Sequence, residues 1–244
     1  MTDSLTRSLT LTKLQRPRVK RGLVARPQLL EQLNASQGLT LILAPAGYGK
    51  TTLLSMWLET CDMPNAWLSL DEHDDDLIVF ATYLIEALHT MFPAVADDTL
   101  SAINGMTAPP PAAIARSLLN DLVDVEQDFI LVLDDYHFIH NQAIHDLLTE
   151  VVRHLPRTLH LVIASRHDPA LPLAGLRARG TVTELRGDDL RFTAEEAGHF
   201  LVETMALTVN EQVIATLAGG LASGGVVIAP TAHTGHDRGE RIGR

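Results

Sequence analysis

Residues 39–52 read LTLILAPAGYGKTT, a run of β-type apolar residues that turns into a glycine-bearing loop ending in Lys-Thr-Thr. Within it, Ala44, Pro45, Ala46, Gly47, Tyr48, Gly49, Lys50 and Thr51 fit the phosphate-binding pattern G-x-x-x-x-G-K-[ST], with alanine where the first glycine is usual. Gly47 and Gly49 permit positive φ and carry no Cβ, so successive backbone N–H groups can converge on phosphate oxygens. A helix starting near Gly49 aims its positive end at the same place. Lys50 reaches the β- and γ-phosphates as a point charge, and the Thr51 hydroxyl is placed to ligate a magnesium ion between them. Thr52 caps or packs. A ligand-free strand-to-helix turn is the competing reading. The context opposes it, because residues 39–43 read as a fully buried parallel strand and the LLSMWL that follows has the apolar spacing of a sheet-covering helix.

Two more apolar runs end in polar residues. Residues 129–135, FILVLDD, stop on paired acids. At the carboxyl end of a parallel strand beside the phosphate loop, Asp134 would hold the magnesium ion and Asp135 would sit where an attacking water passes. Taken alone, the pair reads equally well as an acidic turn or as an N-cap for a helix beginning near Asn141. Residues 159–166, LHLVIASR, deliver Ser165 and Arg166 to a strand end. The planar, permanently charged guanidinium of Arg166 suits a sensor of the γ-phosphate, with a surface salt bridge as the alternative.

Alternation of strands (39–44, 66–70, 129–133, 159–164, 181–185) with helices (26–33, 51–59, 77–91, 111–125, 141–154) predicts an α/β fold: a five-stranded parallel sheet with helices on both faces. The Ala108-Pro109-Pro110-Pro111 stretch reads as a surface loop before a helix that accepts proline in its first turn. At 192–197, FTAEEA has a threonine cap with Glu196 at the third helical position, a capping-box start to a helical annex. The predicted organisation is a basic arm (1–22), an ATPase domain (23–190), the start of the annex (191–217) and a Gly-, Ala-, His- and Arg-rich tail (218–244) expected to be disordered.

Composition bounds the function. The 244 residues are 46% hydrophobic and 20% charged, a globular balance without a long uncharged apolar span, so no membrane partner is expected. A single cysteine, Cys61, excludes an internal disulfide framework, and a cytoplasmic location follows from that and from the lack of an apolar leader. Net charge of −11 opposes nonspecific nucleic-acid binding, although residues 1–26 hold seven Lys/Arg against one Asp. That arm reads as a solvated extension or a strap around the nucleotide pocket. The acidic run 71–76, DEHDDD, reads as a solvated loop or helix cap. Eleven histidines invite a metal reading, yet His137, His140 and His145 lack ligand spacing, so no metal other than magnesium is expected.

The stretches LAPAGYGKTTLLSMWL, AWLSLDEHDDD, LVLDDYHFI, LVIASRHDPALPLAGLRARG and LRFTAEEA together resemble the ATP-binding domain of the large LuxR-type, maltose-operon-activator-like transcription regulators, within the signal-transduction ATPases called STAND. The resemblance runs from about Leu14 to Leu207. It implies a P-loop NTPase that holds ADP at rest, exchanges it for ATP when a small-molecule inducer arrives, self-associates, and resets by slow hydrolysis. DNA would be bound only through a C-terminal module that this chain does not carry. Residue by residue, it assigns Gly47, Gly49, Lys50, Thr51 and Thr52 to the phosphate loop, Asp134 to magnesium, Asp135 to hydrolysis and Arg166 to sensing. It also matches Arg26 to a segment lining the base side of the nucleotide, and makes Arg177 and Arg179 candidate trans-acting arginines, with a salt-bridged surface loop as the alternative. Family members are several times longer, and the tail departs from their pattern, so a truncated or frame-shifted product is expected. The rival function is a housekeeping P-loop ATPase or small-molecule kinase built for turnover.

Overall fold

The structure, a computed structural model, describes residues 9–19 and 23–199. The expected disordered tail, and the annex beyond residue 199, lie outside the described residues.

Five parallel strands form one sheet: β1 (Leu39–Leu43), β2 (Asn65–Ser69), β3 (Phe129–Asp134), β4 (Leu159–Ser165) and β5 (Val182–Arg186). Their order is β2-β3-β4-β1-β5, all pairs parallel. The predicted α/β architecture is therefore observed, with strand ends shifted by a residue or so. Helices α1 (Pro27–Asn34), α2 (Lys50–Thr60), α3 (Leu77–His89), α4 (Asp97–Ile103), α5 (Pro111–Val123), α6 (Gln142–Arg153), α7 (Leu173–Ala178), α8 (Gly187–Leu190) and α9 (Ala194–His199) complete the chain. The short helices α4, α7 and α8 are not legible in the sequence, because one or two turns show too little apolar periodicity.

Period-two alternation assigns the two faces. Leu39, Leu41, Leu43, Phe129, Leu131, Leu133, Leu159, Leu161 and Ile163 pack under residues of α3 to α7. Ile42, Ala44, Ile130, Val132, Val162 and Ala164 pack under α1, α2 and α8 with Trp57, and Trp67 joins the same cluster. Both tryptophans are core. One polar group interrupts the second face. His160 accepts or donates a 2.8 Å bond with the Thr40 hydroxyl and meets the Trp57 ring edge-on at 5.5 Å. Burial pushes its pKa down to about 4, so it is neutral at physiological pH.

Helix starts follow the caps in the sequence. Asp76 accepts from the N–H groups of Ile78 and Val79 at the start of α3, and Asn141 accepts from Ala143 at the start of α6. The capping box at α9 is present: Thr193 Oγ1 accepts from the Glu196 N–H at 3.2 Å, and Glu196 Oε2 accepts from the Thr193 N–H at 2.8 Å.

Two expectations need correction. Residues 11–14 of the basic arm neither extend into solvent nor wrap the nucleotide pocket; they form a 3-10 turn packed on edge strand β2 and on α3. The acidic run is only partly a solvated cap. Asp74 is fully buried, because Lys13 of the arm bonds to both its oxygens at 2.8 Å.

Candidate functional site

The sheet order makes β3, β4 and β1 consecutive, so the ends of all three strands that finish in polar residues meet at one edge. Register aligns Leu43 with Ser165 and, one strand on, Leu133 with Ile163.

The β1–α2 loop adopts the backbone expected of its glycines. Gly47 has φ 83° and Gly49 φ 77°. Nothing lies within 4 Å of where a Cβ on Gly49 would stand, so the requirement there is conformational rather than steric. Gly49 is the N-cap of α2, with no side-chain hydrogen bond to cap the helix. The first-turn N–H groups of an eleven-residue helix are thus left without a side-chain partner, the arrangement that suits an anion. Tyr48 packs beside the start of α8, where its ring lies 3.5 Å from the place a Cβ on Gly187 would occupy.

Lys50 is 6% exposed and folds back on its own loop, donating to the carbonyls of Ala44 at 2.8 Å and Pro45 at 3.2 Å. Burial lowers its pKa below the usual lysine value, Asp135 and Asp134 oppose that shift, and Arg166 adds to it. Lys50 is therefore within electrostatic reach of Asp134, Asp135 and Arg166.

Asp134 ends β3 on the face that α2 covers, as period two dictates. Its Oδ2 accepts from the Thr51 hydroxyl at 2.7 Å and its Oδ1 from the Asp135 N–H at 3.0 Å. It is 2% exposed, and no cation lies within ion-pair distance among the described residues. Burial raises its pKa to about 6; the Thr51 bond opposes this and the neighbouring Asp135 adds to it. A deeply buried carboxylate touching a threonine hydroxyl offers two hard oxygen donors to one point, the donor chemistry that magnesium selects.

Asp135 follows in the left-handed region, φ 57° and ψ 34°. That conformation is uncommon outside glycine and turns its carboxylate back toward solvent. It does not cap α6, which Asn141 caps instead. Next to it stands His137, which the sequence reading weighed only as a metal ligand. Its Nδ1 lies 3.6 Å from Asp135 Oδ1 and its ring is 8% exposed. Neither ring nitrogen has a hydrogen-bond partner among the described residues. Burial and then Arg166 hold its pKa below the ordinary imidazole value, against the pull of Asp135. Its position two residues after the acid was the available signal. The next residue back, Tyr136, is anchored by a 2.7 Å bond to His145 Nδ1.

Ser165 is buried, with its Oγ 3.4 Å from the His167 N–H. Arg166 is exposed and has no hydrogen bond or ion pair among the described residues. In contrast, Arg177 bonds to Asp168 and Glu184, and Arg186 bonds to the same two acids. For Arg177 the salt-bridged surface reading is thus the one observed in this chain. Arg179 is exposed. Arg26 is extensively bonded within the chain. Its guanidinium donates to the carbonyls of Leu190 and Arg191 at 2.8 Å and of Asp189 at 3.3 Å, pairs with Glu196 at 3.0 Å, and stacks over Phe192. Its side chain joins α8 to α9. Thr52, on the first turn of α2, is exposed. Among the described residues no cluster of His, Cys, Asp and Glu could hold a metal by itself, and no helix is long and apolar enough to cross a membrane.

No family model matches the chain. It is similar to the HTH-type transcriptional regulator MalT of several bacteria: 36% identical over 191 residues to that of Klebsiella pneumoniae, covering 78% of this chain and 21% of the relative. Against MalT of Vibrio parahaemolyticus the identity is 32% over 209 residues, covering 84% and 23%. Against that of Yersinia pestis it is 38% over 192 residues, covering 78% and 21%. The chain thus spans about a fifth of the length of the curated relatives it matches. Among solved structures, a Signal Transduction ATPase with Numerous Domains carrying a tetratricopeptide repeat sensor, from Pyrococcus horikoshii, superposes with a TM-score of 0.59 at 18% identity, covering 86% of this chain and 29% of that one. Fold and sequence together identify the described core as a P-loop domain of the kind carried by MalT-like regulators.

Proposed function

We propose that this chain is a nucleotide-operated regulatory domain that binds ATP and ADP with magnesium and hydrolyses ATP slowly. The observation that carries the proposal is the contact between Thr51 and Asp134 beside an uncapped helix start and a folded-back Lys50. In this reading the backbone of Ala44, Pro45, Ala46, Gly47, Tyr48 and Gly49, continued by Thr51 and Thr52, cradles the phosphates. Lys50 leaves the Ala44 and Pro45 carbonyls to meet phosphate oxygens. Thr51 and Asp134 hold magnesium, which supplies charge neutralisation of the polyphosphate. Asp135 orients water and accepts its proton, with the His137 ring standing beside it. Arg166, uncommitted within the chain, reads the γ-phosphate. Arg26 contributes to the base side through its backbone alone, because its guanidinium is bonded elsewhere.

By similarity to regulators named for a helix-turn-helix, the purpose is switching rather than turnover. ATP-dependent self-association, a small-molecule inducer and DNA binding through another module belong to the same reading, as does cytoplasmic residence. Nucleotide binding is tested by thermal shift: ATP with magnesium at a hundredfold excess over the dissociation constant should stabilise the chain by about 2.7 kcal/mol, and Lys50→Ala should abolish that shift. An unchanged shift in the variant refutes the site. Turnover far below roughly 10 per second separates the switch from a housekeeping ATPase or kinase, for which substrate-dependent rates near that value are expected.

A further inference from the structure

The arm residue Lys13 sits 61 positions from Asp74, yet it pairs with that buried acid and with Asp71. Its ammonium bonds to both oxygens of Asp74 and to Asp71 Oδ2, each at 2.8 Å, and lies 5.1 Å from the centre of the Tyr83 ring. Thr10 donates its N–H to the same tyrosine's hydroxyl at 2.9 Å. Leu9 and Leu14 pack on the core beside it. The cluster closes the loop between β2 and α3, since Asp74 also accepts from the Asp71 N–H at 2.8 Å. The next residue of that loop, Asp75, faces the other way. Its Oδ1 accepts from the N–H groups of His140 and Asn141, both at 2.7 Å, and its carbonyl accepts from the Asn141 side-chain amide. Those two residues end the segment 135–141, which carries Asp135 and His137 into the candidate site. At the near end of the same loop, Leu70 donates to the Asp134 carbonyl at 3.0 Å.

We propose that Lys13 is a positioning residue for the candidate catalytic segment: the arm clamps the 71–76 loop, and Asp75 on that loop holds residues 135–141 in the conformation that presents Asp135 and His137. The kinetic part of this inference rests on the ATPase reading; the structural part does not. Hydrogen bonds to Asp75 are the link. Asp135 sits in an uncommon backbone conformation that its surroundings must impose. Tyr136 through its bond to His145, and Asn141 through Asp75, fix the two ends of the turn. Releasing the arm frees one end.

Amide hydrogen exchange on the full chain without nucleotide is the first measurement. In Lys13→Met, exchange at the amides of His140 and Asn141 should speed by about tenfold, with the central strand β4 unchanged. Lys13→Arg should restore protection. Because Lys13→Met leaves Asp74 buried and unpaired, the double variant Lys13→Met/Asp74→Asn is measured alongside it, and it should show the same loosening at 140–141 without the unpaired buried charge. If exchange rises in residues 9–19 and 71–74 alone, in either variant, the proposal is overturned. The second measurement is single-turnover ATP hydrolysis. Lys13→Met should lower the rate constant about three- to tenfold with ATP affinity changed less than about twofold, and Lys13→Arg should recover it. A wild type that neither binds nor hydrolyses ATP overturns the ATPase reading and leaves the exchange result standing. Normal hydrolysis in Lys13→Met with loosened 140–141 overturns the positioning role.

Discussion

Asp74 and Asp134 lie just beyond and at the ends of neighbouring strands, with 0% and 2% of their surface exposed, yet their surroundings differ in kind. Asp74 is met by a lysine on both oxygens and by a backbone N–H. Asp134 has a threonine hydroxyl and a backbone N–H and no cation in contact. A buried charge that is paired within the chain stabilises the fold through that pairing, whereas one left without a counter-charge destabilises it until something else supplies the charge. The first arrangement is complete within the chain and the second lacks a counter-charge there, which is why two acids of nearly equal burial carry different meanings.

The largest way to break this comparison is to take the cation from Asp74. Lys13→Met should destabilise the chain by about 4 kcal/mol in urea unfolding, because it strands a buried carboxylate, and Lys13→Met/Asp74→Asn should recover a large part of that loss. A loss under about 1 kcal/mol would reduce the cluster to an ordinary surface contact.

A buried base tests the same physics with the sign reversed. His160 has a folded pKa of about 4 against an ordinary 6.5, so the unfolded chain binds more protons between those values. Its contribution to stability is complete above about pH 6.5 and is lost as pH falls through about 4. From pH 7 to 4.5 that amounts to about 2.5 kcal/mol. The loss is read as the difference in pH dependence between wild type and His160→Leu, so that every other titrating group cancels. Parallel curves for the two proteins would remove the burial argument.

Asp134→Asn should move stability the opposite way from any loss at Asp74. Without nucleotide the variant should unfold about 2 kcal/mol later than wild type, since it removes an uncompensated buried charge, while losing the magnesium-dependent part of the ATP thermal shift. Destabilisation instead would place Asp134 beside Asp74 as a structural acid. The smallest effect is expected two residues past Asp74. Asp76 is an exposed cap for α3, and Asp76→Ala should cost about 1 kcal/mol by thermal denaturation, with no change in arm protection.

These contrasts explain how far the sequence could be read. The phosphate loop was legible because glycine φ, the lysine and the threonine act over eight consecutive residues, and local backbone geometry follows from local chemistry. The three central strands β1, β3 and β4 were legible because parallel strands covered on both faces are almost wholly apolar. The capping box at Thr193 and Glu196 was legible for the same local reason. The partners of Arg26 could not be read from the sequence, because a guanidinium's partners depend on which chain segments reach it, and Glu196 is 170 positions away. His137 reads in sequence only as a candidate metal ligand, because its place beside Asp135 depends on the left-handed turn that brings the ring there.

By itself, then, the order of residues determined the parallel α/β core, the glycine-bearing loop between β1 and α2, and which strand ends carry polar groups, since all three arise from interactions among near neighbours and from the period of side chains on a strand. Only the tertiary structure decided that β3, β4 and β1 stand side by side, that Thr51 meets Asp134, that the basic arm docks through Lys13 instead of trailing in water, and that Arg26 joins α8 to α9. Those outcomes depend on contacts between residues far apart in the chain, where charge and burial are settled together and no local pattern records the partner.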